Sequence, residues 1–239
     1  MGKAVAAATD GGIRIIAGVD INASALEASP FPIYESITEF CGKADVIVDF
    51  SHHSALPSLL EYAKATKTPV VVATTGHTDE ELSLMREAAS EVAIFHSGNF
   101  SIGINLIITL AKQAARTLGE DFDIEIIEKH HNKKLDAPSG TAIMIANAVA
   151  DEREESEYIY DRHSVRKARD KNEIGIHSVR GGSIVGEHEV IFAGANEVVS
   201  ISHSAASREI FANGALRAAS YLAGKSAGLY NMTDLIEGR

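Results

Sequence analysis

The sequence predicts an α/β fold in two unequal blocks, a parallel sheet with crossover helices followed by a second α+β block. Three observations predict it. From residue 13 to residue 95, short β-rich runs alternate with helix-spaced ones, the pattern of strand–helix–strand units. A longer apolar-periodic helix and a dense polar segment then set a later group of strand candidates apart from the first. Finally, 239 residues with 45% hydrophobic content can bury one large core or two modest ones.

Taken in order, residues 13–19, 46–49, 69–72 and 92–95 read as strands, and residues 55–65 and 80–90 have helical spacing. Residues 105–118 form the longer helix. Residues 123–129 alternate and are rich in isoleucine, which predicts a strand. Residues 139–150 are a run of Ala, Ile, Met and Val at helical spacing, opened by Pro138 and by Ser139 as N-cap. The polar stretch 151–172, dense in Asp, Glu, Arg and Lys, reads as a solvated helix or mobile loop. Strands are predicted again at 173–179, 184–192 and 197–203, and a helix at 207–224. The chain has no internal repeat.

A formal net charge of −11 argues against nucleic acid and against an anionic membrane surface, since both reward clustered Lys and Arg. The single cysteine, Cys41, rules out an internal disulfide and fits a reducing cytosol. No apolar stretch reaches bilayer-spanning length, there is no signal-peptide core, and Ala6 stands where a myristoylation pattern needs Ser or Thr. A cytoplasmic protein without nucleic-acid or membrane partners is expected.

The most informative stretch is Glu-Ile-Ile-Glu-Lys-His-His-Asn-Lys-Lys-Leu-Asp-Ala-Pro-Ser-Gly-Thr-Ala, residues 125–142. It joins a strand to a helix start, so strand-end side chains and helix N–H groups converge. Those N–H groups, at Gly140 and Thr141, suit a carboxylate or phosphate, and Gly140 permits close approach to the backbone. Lys133 and Lys134 add full charge, so the expected ligand is an anion, and a dicarboxylate suits better than a monocarboxylate. His130 and His131 end the strand on opposite faces. Parity places Glu128 with His130, where it can hold the imidazole's tautomer. The competing reading is a solvated His-His-Lys-Lys loop without chemistry. Metal ligation is disfavoured, because neighbouring strand histidines rarely share one ion and no further ligand sits at helical spacing.

This stretch resembles the signature of bacterial 4-hydroxy-tetrahydrodipicolinate reductases. So do, in the same order, Val46-Ile-Val-Asp-Phe-Ser51, Ala73-Thr-Thr-Gly76, Asn99-Phe-Ser-Ile-Gly103, Val185-Gly-Glu-His188 and Phe211-Ala-Asn-Gly214, so the likeness covers nearly the whole chain. It implies a Rossmann-like doubly wound parallel sheet plus a second α+β domain with an open mixed sheet. Residues 1–100 and 208–239 would bind the dinucleotide, and residues 101–207 the substrate and partner subunits of a homotetramer. The implied reaction reduces a cyclic imine dicarboxylate with a nicotinamide hydride and loss of water, on the diaminopimelate route to lysine.

By the same resemblance His130 is the proton donor and Lys134 a second donor or electrostatic partner, while His131, Ser139, Gly140 and Thr141 hold substrate carboxylate. Ala73, Thr74, Thr75, Ser97, Gly98, Asn99 and Phe100 lie along the nicotinamide and its ribose. Ala73 stands where the family usually has glycine. Asp20 ends the predicted strand 13–19, where a carboxylate accepts hydrogen bonds from ribose hydroxyls; its alternative is a plain turn residue. Ile21 follows, with no arginine for a 2′-phosphate, so NADH is expected over NADPH.

The family pattern opens with a short strand and a glycine-rich loop ending in Met-Gly, and this sequence opens at Met1-Gly2. Gly2 is then the last glycine of that cofactor-binding loop. The favoured reading is a start further upstream. The alternative is a truncated polypeptide, and with it a different function: an oligomeric dicarboxylate-binding protein without cofactor affinity. Another nicotinamide enzyme of the same architecture would show a catalytic cysteine or a different lysine placement, and Cys41 lies in no such context.

Overall fold

The computed structural model describes residues 1–9 and 12–238. Contacts divide the chain after Ser101 and again after Arg208, so that a first unit of residues 1–101 and 209–239 encloses in sequence a second of residues 102–208.

The first unit opens with α1 (Gly2–Ala7), then β1 (Gly18–Val19) and β2 (Ile33–Tyr34), which pair in parallel. An alternating series follows: β3 (Ile47–Asp49), α2 (Leu56–Thr66), β4 (Val70–Val72), α3 (Asp79–Ala88) and β5 (Ala93–His96). β4 lies between β3 and β5 in a parallel ladder. That position explains its composition, because a strand covered on both faces is a continuous apolar run, and Val70, Val71 and Val72 are all fully buried. One face packs on Leu56, Leu59, Leu60 and Ala63 of α2 and Met85 and Ala88 of α3. α3 starts sharply because Thr78 and Glu81 form a reciprocal capping box.

The second unit contains α4 (Ile102–Leu118), β6 (Asp123–His130), α5 (Gly140–Ala150), β7 (Glu157–Ile159), β8 (Glu173–Arg180), β9 (Gly186–Ala193) and β10 (Val198–Ala205). The strands form an open mixed sheet in the order β10-β9-β6-β8-β7. β6 runs parallel to β8 and antiparallel to β9. Ile104, Ile107, Ala111 and Ala115 of α4, with Ala142, Ile145, Ala146 and Val149 of α5, cover one sheet face by packing on Ile124, Ile126, Ile174, Ile176, Val190 and Phe192. These spacings are the apolar stripe of a helix and the period of a strand meeting in one core.

The chain then returns to the first unit as α6 (Glu209–Leu222), β11 (Gly228–Tyr230) and α7 (Met232–Glu237). β11 extends the parallel ladder beside β5. α6 packs on β3, β4 and β5, bringing Tyr221 against Phe95 on the face that α2 and α3 leave open.

Two sequence expectations need correction. Residues 13–19 do not form one strand of the main sheet. Only Gly18 and Val19 pair, because their partner β2 is itself two residues long, and Ile13 packs beside Val5, Ala212 and Leu216 instead. The polar stretch 151–172 is neither helix nor free loop. It contains β7, and its cations close over the ends of β6 and β8: Arg162 bonds Glu125 and Glu173, and Arg169 bonds Asp123 and Glu125. The charge density that suggested solvation serves lateral pairing with strand carboxylates. Gly175 makes room for this, since Glu125 opposite it occupies the place its Cβ would take.

Candidate functional site

In β6 the core stripe Ile124, Ile126 continues on the same face as Glu128 and His130, so the alternation that buries isoleucine also buries a carboxylate. Sheet register supplies the neighbours. Glu128 lies opposite Ser178 of β8 and opposite His188 of β9, while His130 lies opposite Arg180. Three strands thus deliver five polar side chains to one end of a sheet face.

Glu128 is 0% exposed. Its Oε2 accepts from His130 Nδ1 at 2.6 Å and from Arg180 at 2.8 Å, and its Oε1 accepts from Arg180 at 2.7 Å and from the Ser139 backbone N–H at 3.1 Å. Burial by itself would raise its pKa, but the hydrogen bonds from Arg180 and His130 outweigh burial and bring it down to about 2. The carboxylate is therefore ionised, and it takes the proton on Nδ1 of His130. Nε2 of that ring faces Gly186, where an added Cβ would come within 3.1 Å.

His188 is also buried, its Nε2 sharing a 3.1 Å hydrogen bond with Ser139 Oγ. Burial, seconded by the adjacent His130 ring, pushes its pKa down to about 4, so it is neutral around pH 7. Ser139 Oγ also accepts from Ala142 N as the N-cap of α5, and the Ala137–Pro138 bond before it is cis. Hydrogen bonds with His188, from Ala142 N and from its own N–H to Glu128 fix Ser139 from three directions. Gly140 begins α5, exposed and with open space where a Cβ would stand, and Thr141 follows in the first turn.

In the loop before the helix, His131 is half-buried and Lys133 exposed, and Lys134 pairs with Asp136 at 2.9 Å. The loop tip is open, with Leu135 98% exposed. The result is a corner with a fixed imidazole, a lysine and a helix start, able to bind a carboxylate and deliver a proton beside it.

These groups make stability acid-sensitive in two windows. His188 is held neutral in the folded state, so the unfolded chain binds more protons once pH falls below the ordinary 6.5, and stability is lost down to about 4. Glu128 is held ionised, so its contribution is present above 4.5 and is lost as pH falls toward about 2. Urea midpoints measured against pH are expected to drop in both windows. In His188→Gln the upper drop should shrink, and an unchanged upper drop would contradict this account.

The first unit holds a separate cavity of about 460 Å³ at the carboxyl ends of its parallel strands, lined by Phe50, Ser51, His52, His53, Ala73, Thr74, Thr75, Gly98, Asn99, Phe100, Phe211 and Met1. This is where ligands bind in open parallel sheets. Buried Asp49 ties two of its loops, accepting from Thr74 Oγ1 at 2.7 Å and from Ser51 N at 3.0 Å. Ser97 Oγ donates to the Asn99 carbonyl at 2.8 Å, which shapes the third loop. Of the cofactor positions expected from sequence, Ala73, Thr74, Thr75, Gly98, Asn99 and Phe100 line this cavity, while Ser97 is buried and does not, touching it only through its bond to lining residue Asn99. Asp20 and Gly2 do not line it. Asp20 follows β1 and accepts from Asn22 N at 2.9 Å, and Gly2 opens α1.

Sequence reasoning passed over Arg180 and His188, and over Phe50, Ser51, His52, His53 and Phe211 in the cavity. His188, Phe50, Ser51 and Phe211 fall inside recurring motifs. Arg180 has no local signal, because only the register of β6 on β8 places it.

Comparisons with known proteins agree with this architecture. Residues 1–100 match the family described as dihydrodipicolinate reductase, N-terminus, and residues 103–236 match dihydrodipicolinate reductase, C-terminus. The chain is 54% identical to 4-hydroxy-tetrahydrodipicolinate reductase of Caldanaerobacter subterraneus subsp. tengcongensis, over 99% of this chain and 94% of that one. It is 50% identical to the Clostridium novyi protein of the same name, over 100% and 95%. A solved structure, dipicolinate-bound dihydrodipicolinate reductase from Paenisporosarcina sp. TG-14, is similar with a TM-score of 0.77 at 25% identity, covering 95% of this chain and 90% of that one.

Proposed function

The chain belongs to the dihydrodipicolinate reductase family, and from that membership we infer that it reduces 4-hydroxy-tetrahydrodipicolinate to tetrahydrodipicolinate with loss of water, in lysine biosynthesis through diaminopimelate. It is an oxidoreductase using a pyridine nucleotide, which supplies the hydride. The observation that supports the chemistry most directly is the imidazole of His130, fixed at Nδ1 by an ionised, fully buried Glu128 at the mouth of an anion-binding helix start.

On this reading His130 gives its Nε2 proton to the substrate ring as hydride arrives, the general-acid role that a positioned imidazole most often fills. Lys134 assists as second donor or electrostatic partner. His131, Ser139, Gly140 and Thr141 form the carboxylate-binding corner, with Ser139 setting the helix start. The relative named for its bound dipicolinate supports a planar dicarboxylate ligand of this kind.

The first unit would hold the nucleotide. Its cavity suits the nicotinamide end, with the aromatic side chains Phe50, Phe100 and Phe211 for the ring and Thr74, Thr75 and Asn99 for the amide and ribose. Asp20 would accept from the adenosine ribose, which favours NADH over NADPH. A cytoplasmic homotetramer completes the proposal, supported by the sheet face that α4 and α5 leave uncovered in the second unit.

Absorbance-monitored NADH oxidation with freshly prepared substrate tests the function, with NADPH in parallel. Turnover with a lower KM for NADH is expected. Equal KM values would defeat the cofactor preference alone, and absence of turnover in a folded preparation would defeat the function.

A further inference from the structure

One residue links the two groups to which proton donation has been assigned, and no motif contains it. The Arg180 guanidinium bonds both oxygens of Glu128, at 2.7 and 2.8 Å, and the same group donates to the Asp136 carbonyl at 2.7 Å. Glu128 in turn holds His130, and Asp136 pairs with Lys134. The Val179 carbonyl takes a further bond at 2.8 Å, which anchors the guanidinium to its own strand.

We propose that Arg180 is a positioning residue for the reduction, holding the His130 ring and the Lys134 loop in one frame through Glu128 and the Asp136 carbonyl. The proposal rests on the assignment of His130 as acid.

The geometry favours this role over simple charge neutralisation. A planar fork can reach two carboxylate oxygens and a carbonyl at once, whereas an ammonium is a point charge that cannot reproduce the arrangement. The loop also needs such a tie. Between His131 and Pro138 its described backbone–backbone bonds are Asn132 N to the Gly182 carbonyl and Lys134 N to the His131 carbonyl, both near its start. At its far end Ser139 N and the Asp136 carbonyl are both held within the Glu128–Arg180 pair.

Without Arg180, the groups facing Glu128 are His130 from its own strand, Ser178 from β8, His188 from β9 and the Ser139 N–H at the start of α5, with Lys134 and Asp136 in the loop beside them. None of these replaces a guanidinium, and burial then favours the protonated carboxyl. A protonated Glu128 no longer accepts on both oxygens, so the His130 ring loses its fixed orientation. The catalytic signature is therefore an acid-side limb that the parent lacks.

The test compares the parent with Arg180→Lys and Arg180→Ala in NADH oxidation across acidic and neutral pH, with and without millimolar guanidinium, and includes His130→Gln. In Arg180→Ala, kcat is expected to fall about 10²-fold, the low end for loss of an acid's proper placement, with a smaller change in substrate KM. An acid-side limb should appear, and guanidinium should restore part of kcat and remove the limb. If Arg180→Ala does not fold, Arg180→Lys decides the matter: it keeps the charge, so Glu128 stays ionised and no limb is expected, but it loses the fork, so kcat should still fall with substrate KM little changed. A parent-like kcat in Arg180→Lys, or in Arg180→Ala a parent-like pH profile or a kcat loss with neither limb nor rescue, would overturn the proposal. If His130→Gln is inactive while the Arg180 variants stay parent-like, the acid assignment stands and only the role of Arg180 fails. An active His130→Gln would overturn both.

Discussion

His130→Gln is expected to lower kcat by about 10²–10⁴-fold, the usual contribution of a positioned general acid, while NADH affinity stays at the parent value. Glutamine approximates the volume of imidazole and can still bond the Glu128 carboxylate that now takes His130 Nδ1 at 2.6 Å, so the buried Glu128–Arg180 pair keeps its partners. What it cannot do is surrender a proton at neutral pH. The cavity proposed for the cofactor is lined by residues of the first unit, which is why binding and chemistry should separate. Fluorescence titration with NADH and steady-state kinetics on the same preparation check this. A variant that turns over at the parent rate would remove His130 from the acid's role, and one that lost NADH affinity in proportion to kcat would show that the substitution disturbed more than the acid.

How much of this site the sequence could disclose depends on how its parts come together. The loop from Glu125 to Ala142 was legible because strand end, histidines, lysines and capped helix start are contiguous, and local rules apply to contiguous residues. The partnership of Glu128 with His130 followed from strand parity alone. Arg180 and His188 could not be found that way. They reach Glu128 because β8 and β9 flank β6 in a particular register, and register is a long-range outcome of core packing on Ile124, Ile126, Ile174, Ile176, Val190 and Phe192. His188 also has an apolar-looking setting, being inward on a strand that alternates buried and half-buried residues.

The same distinction explains the misjudged elements. Residues 13–19 have strand composition, but a strand needs a partner as well as a propensity, and β2 offers only Ile33 and Tyr34. Residues 151–172 were expected as a solvated helix or mobile loop because their main partners lie outside the segment: Arg162 and Arg169 pair with Asp123 and Glu125 on β6, distant in sequence, and Arg162 also with Glu173 at the start of β8. β11 was missed because three residues, Gly228–Tyr230, make a strand only by docking beside β5.

Gly214→Val should be the most damaging single substitution in the first unit. Gly214 lies inside α6, where glycine is normally unfavourable, so its presence needs a reason. The reason is steric: a Cβ built there collides with the Phe100 carbonyl, which is backbone and cannot rotate away. A branched side chain must therefore push α6 off the sheet or displace the loop carrying Asn99 and Phe100. Overpacking of this kind costs about 3 kcal/mol at the upper end of its usual range, and here the displaced segment also lines the cavity proposed for the cofactor, together with Phe211 of the same helix. The expected result is a lower urea midpoint and weaker NADH binding in the same variant, with Gly214→Ala showing both effects to a smaller degree. Circular dichroism during urea unfolding gives the first quantity and NADH fluorescence the second. If the midpoint held while affinity fell, the close approach would matter for the ligand and not for the fold, and if neither moved, α6 and Phe100 would have to be further apart than the structure places them.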